Sequence, residues 1–290
     1  MLTAAALCPA PPLLARELTG TDPVVPELRQ ACLDAATDLV RSGPDVIAVV
    51  GAGEQTREFG TRGRLDLAAY APALALGRLA AGDLDAAGLD RGGHDRGVLD
   101  GGGHHSGVPD ADRLDRSGVP LPLGLGCRLL DRAGYAGQPV LHTVSDGASA
   151  ADCAALGARL AATAPRVALL VMADGSARRG LKAPGYLDER SFPFDAQVTE
   201  AIRDGDMTAL LALDASLARE LMATGRPAWQ VLAGAMGEQR PACAISYCDD
   251  PFGVAYLVAT LSPQYDAIPT SGRECGSSGR QLGGDWPGRP

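Results

Sequence analysis

Arg166-Val167-Ala168-Leu169-Leu170-Val171-Met172 is a continuous apolar run opened by one arginine and closed by Ala173-Asp174-Gly175-Ser176. A run this short, with β-branched residues and turn residues at its end, reads as a strand buried on both faces. Such a strand needs cover on both sides, and the flanking sequence supplies it. Residues 45–50 form a second run of the same kind, followed by Gly51-Ala52-Gly53, and residues 2–7 a third, ending at Cys8-Pro9-Ala10-Pro11-Pro12. Residues 139–144, 242–248 and 253–260 read as further strands.

Between these runs the apolar spacing turns helical. Leu28, Ala31, Cys32, Ala35 and Leu39 mark a helix over 26–41, ended by Gly43 and Pro44. Ala150, Cys153, Leu156 and Leu160 share one face of a helix over 149–162. Residues 121–132, 195–203, 207–213, 216–222 and 229–236 are also helical stretches. Strands alternating with helices predict an α/β fold. It is a three-layer sandwich with a central, mostly parallel or mixed sheet and helices on both faces.

Residues 82–120 break this pattern. They are rich in Gly, Asp, Arg and His, with degenerate echoes such as Leu89-Asp90-Arg91-Gly92 and Leu114-Asp115-Arg116-Ser117. Too few large apolar residues are present to build a core, so this stretch reads as a flexible surface insertion. Residues 1–262 then form one α/β domain, and the polar, Gly- and Pro-containing 263–290 a disordered tail.

The net charge of −9 disfavours nucleic acid and anionic membrane as partners, and there is no basic stripe with aromatics. No apolar run is long enough to span a bilayer. No basic residue precedes the apolar N-terminus, and Pro9, Pro11 and Pro12 interrupt it, which argues against a signal peptide. Seven cysteines without Cys-x-x-Cys spacing read as reduced thiols in a cytoplasmic protein. Lys182 is the single lysine against twenty-five arginines.

In open α/β sheets, ligands sit beyond the carboxyl ends of the strands. That rule selects three loops, at 8–12, 51–56 and 173–179. Gly51-Ala52-Gly53 follows a strand but lacks the third glycine and the amphipathic helix of a dinucleotide site. The histidines are His94, His104, His105 and His142, three of them inside the insertion. A metal bound there with Asp95, Asp100 or Asp110 would have to order the segment that holds it. His142 sits within an apolar strand and reads as a core or edge residue. No Gly-x-Ser-x-Gly elbow occurs, and neither Ser176 nor Cys8 has a histidine near it in sequence.

Five segments, taken in order, resemble the class III extradiol ring-cleavage dioxygenase (LigB-like) family. They are Cys8-Pro9-Ala10-Pro11-Pro12-Leu13-Leu14, then Leu121-Pro122-Leu123 ahead of a helix, then Met172-Ala173-Asp174-Gly175-Ser176-Ala177-Arg178. The last two are Trp229 with Gly234-Ala235-Met236, and Tyr247 through Pro251-Phe252-Gly253-Val254-Ala255-Tyr256. The resemblance implies Fe(II) held by two histidines and a glutamate, with a further histidine as acid/base. Residue by residue this chain departs from it. Ala10 stands where the first ligand histidine belongs, Gly53 in the second-strand loop, and Ala177 at the acid/base histidine; Glu220 is the carboxylate nearest the expected glutamate. No residue is therefore assigned a catalytic, cofactor or metal role, and no cofactor is expected.

The expectation is a LigB-like protein without Fe(II) binding or ring cleavage. It retains a small-molecule or anion pocket built from Asp174, Ser176, Arg178, Arg179, Lys182 and Tyr186. Two alternatives stand beside it. One is an active ring-cleaving dioxygenase with non-standard ligands such as His142 and Glu220. The other is a non-catalytic interaction subunit. The partners left open are a small-molecule ligand and a second copy of the chain.

Overall fold

A computed structural model describes residues 1–19, 24–60 and 118–264. Most of the insertion, at 82–117, and the tail from 265 on lie outside the described residues.

In chain order the described elements are β1 (Leu2–Cys8), a single 3-10 turn (Pro12–Leu14), α1 (Arg16–Thr19), α2 (Pro26–Arg41), β2 (Val46–Gly53) and β3 (Arg57–Phe59). After the insertion come α3 (Leu121–Arg132), β4 (Val140–Ser145), α4 (Ala150–Ala161) and β5 (Val167–Met172). The chain continues with α5 (Ser191–Asp204), α6 (Met207–Leu211), α7 (Ala215–Glu220), α8 (Arg226–Met236), β6 (Ala242–Asp249) and β7 (Tyr256–Ser262).

The strands form one mixed sheet in the order β3-β4-β2-β5-β1-β7-β6. The four central strands are parallel, with β5 between β1 and β2. The edges are antiparallel: β3 on β4, β7 on β1, and β6 on β7. Every residue of β5 is buried, as its unbroken apolar sequence requires.

Helices cover both faces. On one, α2 and α3 bring Leu28, Cys32, Leu39, Leu123 and Leu130 against Ile47, Val49 and Leu170. On the other, α4 to α8 bring Leu156, Leu160, Val198, Ile202, Trp229 and Leu232 against Leu7, Val50, Leu169 and Val171. The three-layer α/β sandwich read from the sequence is thus the architecture found.

Two glycines set the second layer. A Cβ on Gly157 of α4 would stand 2.0 Å from the Val231 carbonyl oxygen, and one on Gly234 of α8 would stand 2.2 Å from that of Ala154. The two helices touch backbone to backbone, and only glycine permits that approach. Beside this crossing Arg226 is buried. It donates to Gln230 Oε1 (2.7 Å) and to the Asp146 and Ala148 carbonyls (2.6 and 3.1 Å), while Gln230 donates to the Leu211 carbonyl (3.0 Å). The start of α8 is thereby tied to the β4–α4 loop and to α6.

Several boundaries differ from expectation. Gly51-Ala52-Gly53 is not a loop but the end of β2, paired with Thr143, Val144 and Ser145 of β4. The polar stretch after it forms β3, an edge strand held by its neighbour rather than by its own sequence. Helix α5 starts four residues before Asp195, α8 starts three before Trp229, and β7 begins at Tyr256 rather than 253.

Candidate functional site

The loop leaving β5 is fastened on two sides. Gly175 N–H donates to the Ala255 carbonyl (2.8 Å), Ala255 N–H to that of Ser176 (2.9 Å), and Arg179 N–H to that of Gly253 (3.0 Å). These bonds join the loop to the turn between β6 and β7. On the other side, Ala177 N–H donates to the Leu221 carbonyl and Gly225 N–H to that of Asp174.

Asp174 does not serve its own turn. Its Oδ1 accepts the Ala10 N–H across the strand ends, at 2.8 Å. Burial raises its carboxyl to about 6, against a smaller opposing effect of that hydrogen bond. The nearby Tyr256 hydroxyl is raised too, by burial first and then by the Asp174 charge.

The centre of the cluster is Asp195, on α5. Its Oδ1 accepts the Ser176 N–H (2.9 Å), and its Oδ2 accepts the Ser176 hydroxyl and Arg179 Nη1 (3.2 Å). Arg179 Nε donates to Asp250, and its guanidinium lies 4.6 Å from the centre of the Phe192 ring. Burial opposes the charge on Arg179, and the Asp250 and Asp195 carboxylates outweigh it, holding the group above its ordinary value. Burial likewise raises the Asp195 carboxyl against its hydrogen bonds.

Beside this network lies a cavity of about 380 Å³, between α5 and the β6–β7 turn. Its wall includes Arg179, Asp195, Val198, Trp229, Tyr256 and Leu257. Glu200, Arg203, Asp249 and Asp250 complete the charged part of the lining. Trp229 is 1% exposed, and its indole N–H has no acceptor among the described residues.

The six residues expected to make one pocket do not converge on it. Arg179 alone of the six lines the cavity. Ser176 is fully buried beneath Asp195, and Asp174 faces Ala10. Lys182 is exposed, as is Tyr186 at 75% and with φ of +59°. Arg178 has a buried Nε without a partner, but it does not line the cavity. Nor does the cavity have the charge of an anion pocket, because four carboxylates face two guanidiniums and two of those carboxylates already hold Arg179.

The positions singled out by the family resemblance are closed. Ala10 is buried with its N–H taken by Asp174. A Cβ on Gly53 would stand 2.7 Å from Thr143 Cβ, and one on Gly51 2.5 Å from Pro122 Cβ. Ala177 is buried between Leu221 and Gly185, to which its amide groups are bonded. None of Ala10, Gly53 and Ala177 lines the cavity. His142 lies in mid-β4 with Nε2 3.6 Å from Glu58, and burial lowers its affinity for a proton. Glu220 is held by Arg190 at 2.8 Å. No group of three or more His, Cys, Asp or Glu among the described residues is placed to hold a metal ion. No described helix is long and apolar enough to cross a membrane.

Asp195, Asp250, Phe192 and Trp229 were not assigned to the site from sequence. Asp195 and Asp250 lie 19 and 74 residues beyond Ser176, without a motif to connect them. The signal that was present is a carboxylate on the apolar side of a predicted helix, which requires a buried partner.

No family model matches the chain, and no curated protein matches it. Among solved structures it is similar to an uncharacterized protein, JW3007, from Escherichia coli K12. Identity is 14%, the match covers 90% of this chain and 99% of that one, and the TM-score is 0.46.

Proposed function

We propose that this chain is a divergent LigB-like α/β protein that has given up Fe(II) binding and ring cleavage and keeps a small-molecule cleft. The observation that carries the reading is the packing at the strand ends. Where the resemblance implies histidines, the residues are Ala10, Gly53 and Ala177, and Pro122 and Thr143 occupy the space that side chains on the second strand would need. A methyl group or a glycine offers iron no electron pair and moves no proton. The alternative ligands give the reading further support, because His142 and Glu220 are engaged with different partners, Glu58 and Arg190. The cleft is the cavity beside Arg179 and Asp195, whose volume is within the range of small-molecule sites. The described cysteines are all free thiols, which fits a cytoplasmic location.

The test is purification under anaerobic conditions with added Fe(II), followed by iron quantification and oxygen-uptake assays with catechols. The expected result is substoichiometric iron and no uptake above the buffer rate. Stoichiometric iron with ring-cleaved product overturns the proposal.

A second reading, the interaction subunit, is favoured by one observation. Among the described residues, the large exposed apolar side chains apart from Met1 are Leu181, Tyr186, Leu187, Phe192, Met222 and Phe252. They fall on loop 181–187, on the first turn of α5, and on two segments packed against that loop: Gly185 abuts Met222 Sδ, and Gly253 abuts Ala183. Exposed apolar side chains grouped on neighbouring segments suit an association surface. Mass measurement by light scattering tests it. A multiple of 29.7 kDa that falls to the monomer mass in Leu181→Ser/Tyr186→Ser supports it, and a monomer at all concentrations removes it.

A further inference from the structure

The described sheet ends on two edges of different construction. At one, β3 is three residues long and carries Arg57 and Glu58. A short, charged strand offers little backbone to another chain. At the other, β6 runs for eight residues, from Ala242 to Asp249. It pairs with β7 on one side and has no neighbour on the other among the described strands. No charged residue or proline stands between Ala242 and Cys248. Ala242, Ala244, Ser246 and Cys248 are exposed, and all four are small. A free edge of this kind presents a row of N–H and C=O groups on which a further strand can form. One protecting device is present, the irregularity between Ile245 and Tyr247, and it leaves residues 242–245 in regular pairing with β7.

The charges at the two ends of the strand select what pairs with it. Arg240, exposed just before β6, donates Nε to the Asp204 carbonyl (3.0 Å) and is bonded to no carboxylate among the described residues. Asp249 and Asp250 stand at the far end. Asp250 holds Arg179, whereas Asp249 is exposed and bonded to no cationic side chain among the described residues. The edge is therefore basic where it begins and acidic where it ends. Two copies laid antiparallel about a two-fold axis near Ala244 and Ile245 bring the basic end of each to the acidic end of the other. A parallel arrangement would set like charges side by side. Opposite charges across a strand pair stabilise it, and like charges oppose it.

We propose that β6 pairs antiparallel with β6 of a second copy of this chain, joining the two sheets into one across the two-fold axis. The contact is self-complementary, as a two-fold interface must be. Backbone hydrogen bonds supply the attachment, and Arg240 against Asp249 of the other copy, twice in each dimer, fixes its direction. The pairing uses residues 240–249 of each copy and none of the side chains of loop 181–187.

The test is sedimentation of the full chain over a dilution series. The expected mass is twice 29.7 kDa at high concentration, falling to the monomer mass on dilution. Arg240→Asp sets acid against acid at both ends of the pairing and is expected to weaken association about tenfold. The charge swap Arg240→Asp/Asp249→Arg is expected to return it to within about threefold of the parent. Ala244→Lys, at an exposed position, guards the edge and is expected to shift the chain to monomer, with an unchanged circular dichroism spectrum showing that it folds. A double variant no tighter than Arg240→Asp overturns the antiparallel arrangement. A dimer that survives Ala244→Lys but dissociates in Leu181→Ser/Tyr186→Ser overturns the pairing and supports the loop surface instead. A monomer at every concentration overturns it as well, whether the edge is left to water or covered by another stretch of the same chain, and leaves the iron assay to decide the loss of ring cleavage.

Discussion

Replacing Asp174 by asparagine should stabilise this protein, by an amount that builds from about pH 4 and is complete above about pH 6. Asp174 sits across the strand ends from Ala10, and burial raises its carboxyl from 3.8 to about 6. Between these values the native state holds a proton that the unfolded chain has released. Stability therefore falls as pH rises through this window. The full difference corresponds to about 3 kcal/mol. Asp174 is only half-buried, and water near the group reduces the effect to about 1–2 kcal/mol. Asparagine keeps the oxygen that accepts the Ala10 N–H (2.8 Å) and removes the charge. Urea unfolding of both proteins at pH 8 and near pH 4 reads the result. Asp174→Asn should gain about 1–2 kcal/mol at pH 8, a rise of about 2–8 °C in Tm, and almost nothing near pH 4. A variant less stable than the parent by the same amount at both pH values would refute the reasoning, because the carboxylate would then be contributing something other than a buried charge.

Three other variants probe the scaffold. Gly157→Ala forces a methyl to within 2.0 Å of the Val231 carbonyl; against a helix-propensity gain of about 1 kcal/mol, overpacking should leave a net loss of about 1–2 kcal/mol or a misfolded chain, read by thermal unfolding. Arg226→Met strands Gln230 and the Asp146 and Ala148 carbonyls, at a cost of about 2–4 kcal/mol in the same assay. Ala10→His/Gly53→His should fail to bind stoichiometric Fe(II) by metal analysis, because Thr143 fills the space beside Gly53, and stoichiometric iron in this double variant would contradict that packing.

The core of the fold was legible because its strands are buried on both faces and therefore announce themselves as unbroken apolar runs. Val167–Met172 and the helix at Leu121–Arg132 fall where the sequence puts them. So does α4, whose start is signed by Ser149 accepting the Asp152 N–H. Arg57-Glu58-Phe59 was not legible. Its strand conformation comes from the bonds that β4 offers, with Thr143 Oγ1 donating to the Gln55 carbonyl at 2.6 Å. Gly51 and Gly53 misled for a related reason. They read as turn residues, yet here they keep strand geometry and are glycine because Pro122 and Thr143 take the place of their side chains. The candidate site was half legible. The loop at 173–179 was found by the strand-end rule, but its partners Asp195 and Asp250 join it only through tertiary packing.

The same rule explains why the cleft lies where it does. Ligand crevices in α/β sheets form where strand order or direction changes. In this sheet β5 and β1 run parallel, whereas β7 runs against β1. The loop after β5 and the turn before β7 therefore meet at one edge, and the bonds linking Gly175 to Ala255 and Arg179 to Gly253 close them together. That seam takes Arg179 away from the ends of β1 and β2 and toward α5. The ends themselves are left to Ala10, Asp174, Thr143 and Pro122, which pack against one another or against the glycines of β2. The packed strand ends and the cavity at the seam are thus separable by mutation. Asp174→Asn should change stability, whereas Glu200→Gln/Asp249→Asn, at exposed positions of the cavity lining, should leave it within about 0.5 kcal/mol of the parent. A larger loss in the double variant, read by urea unfolding, would show that the two edges act as one unit.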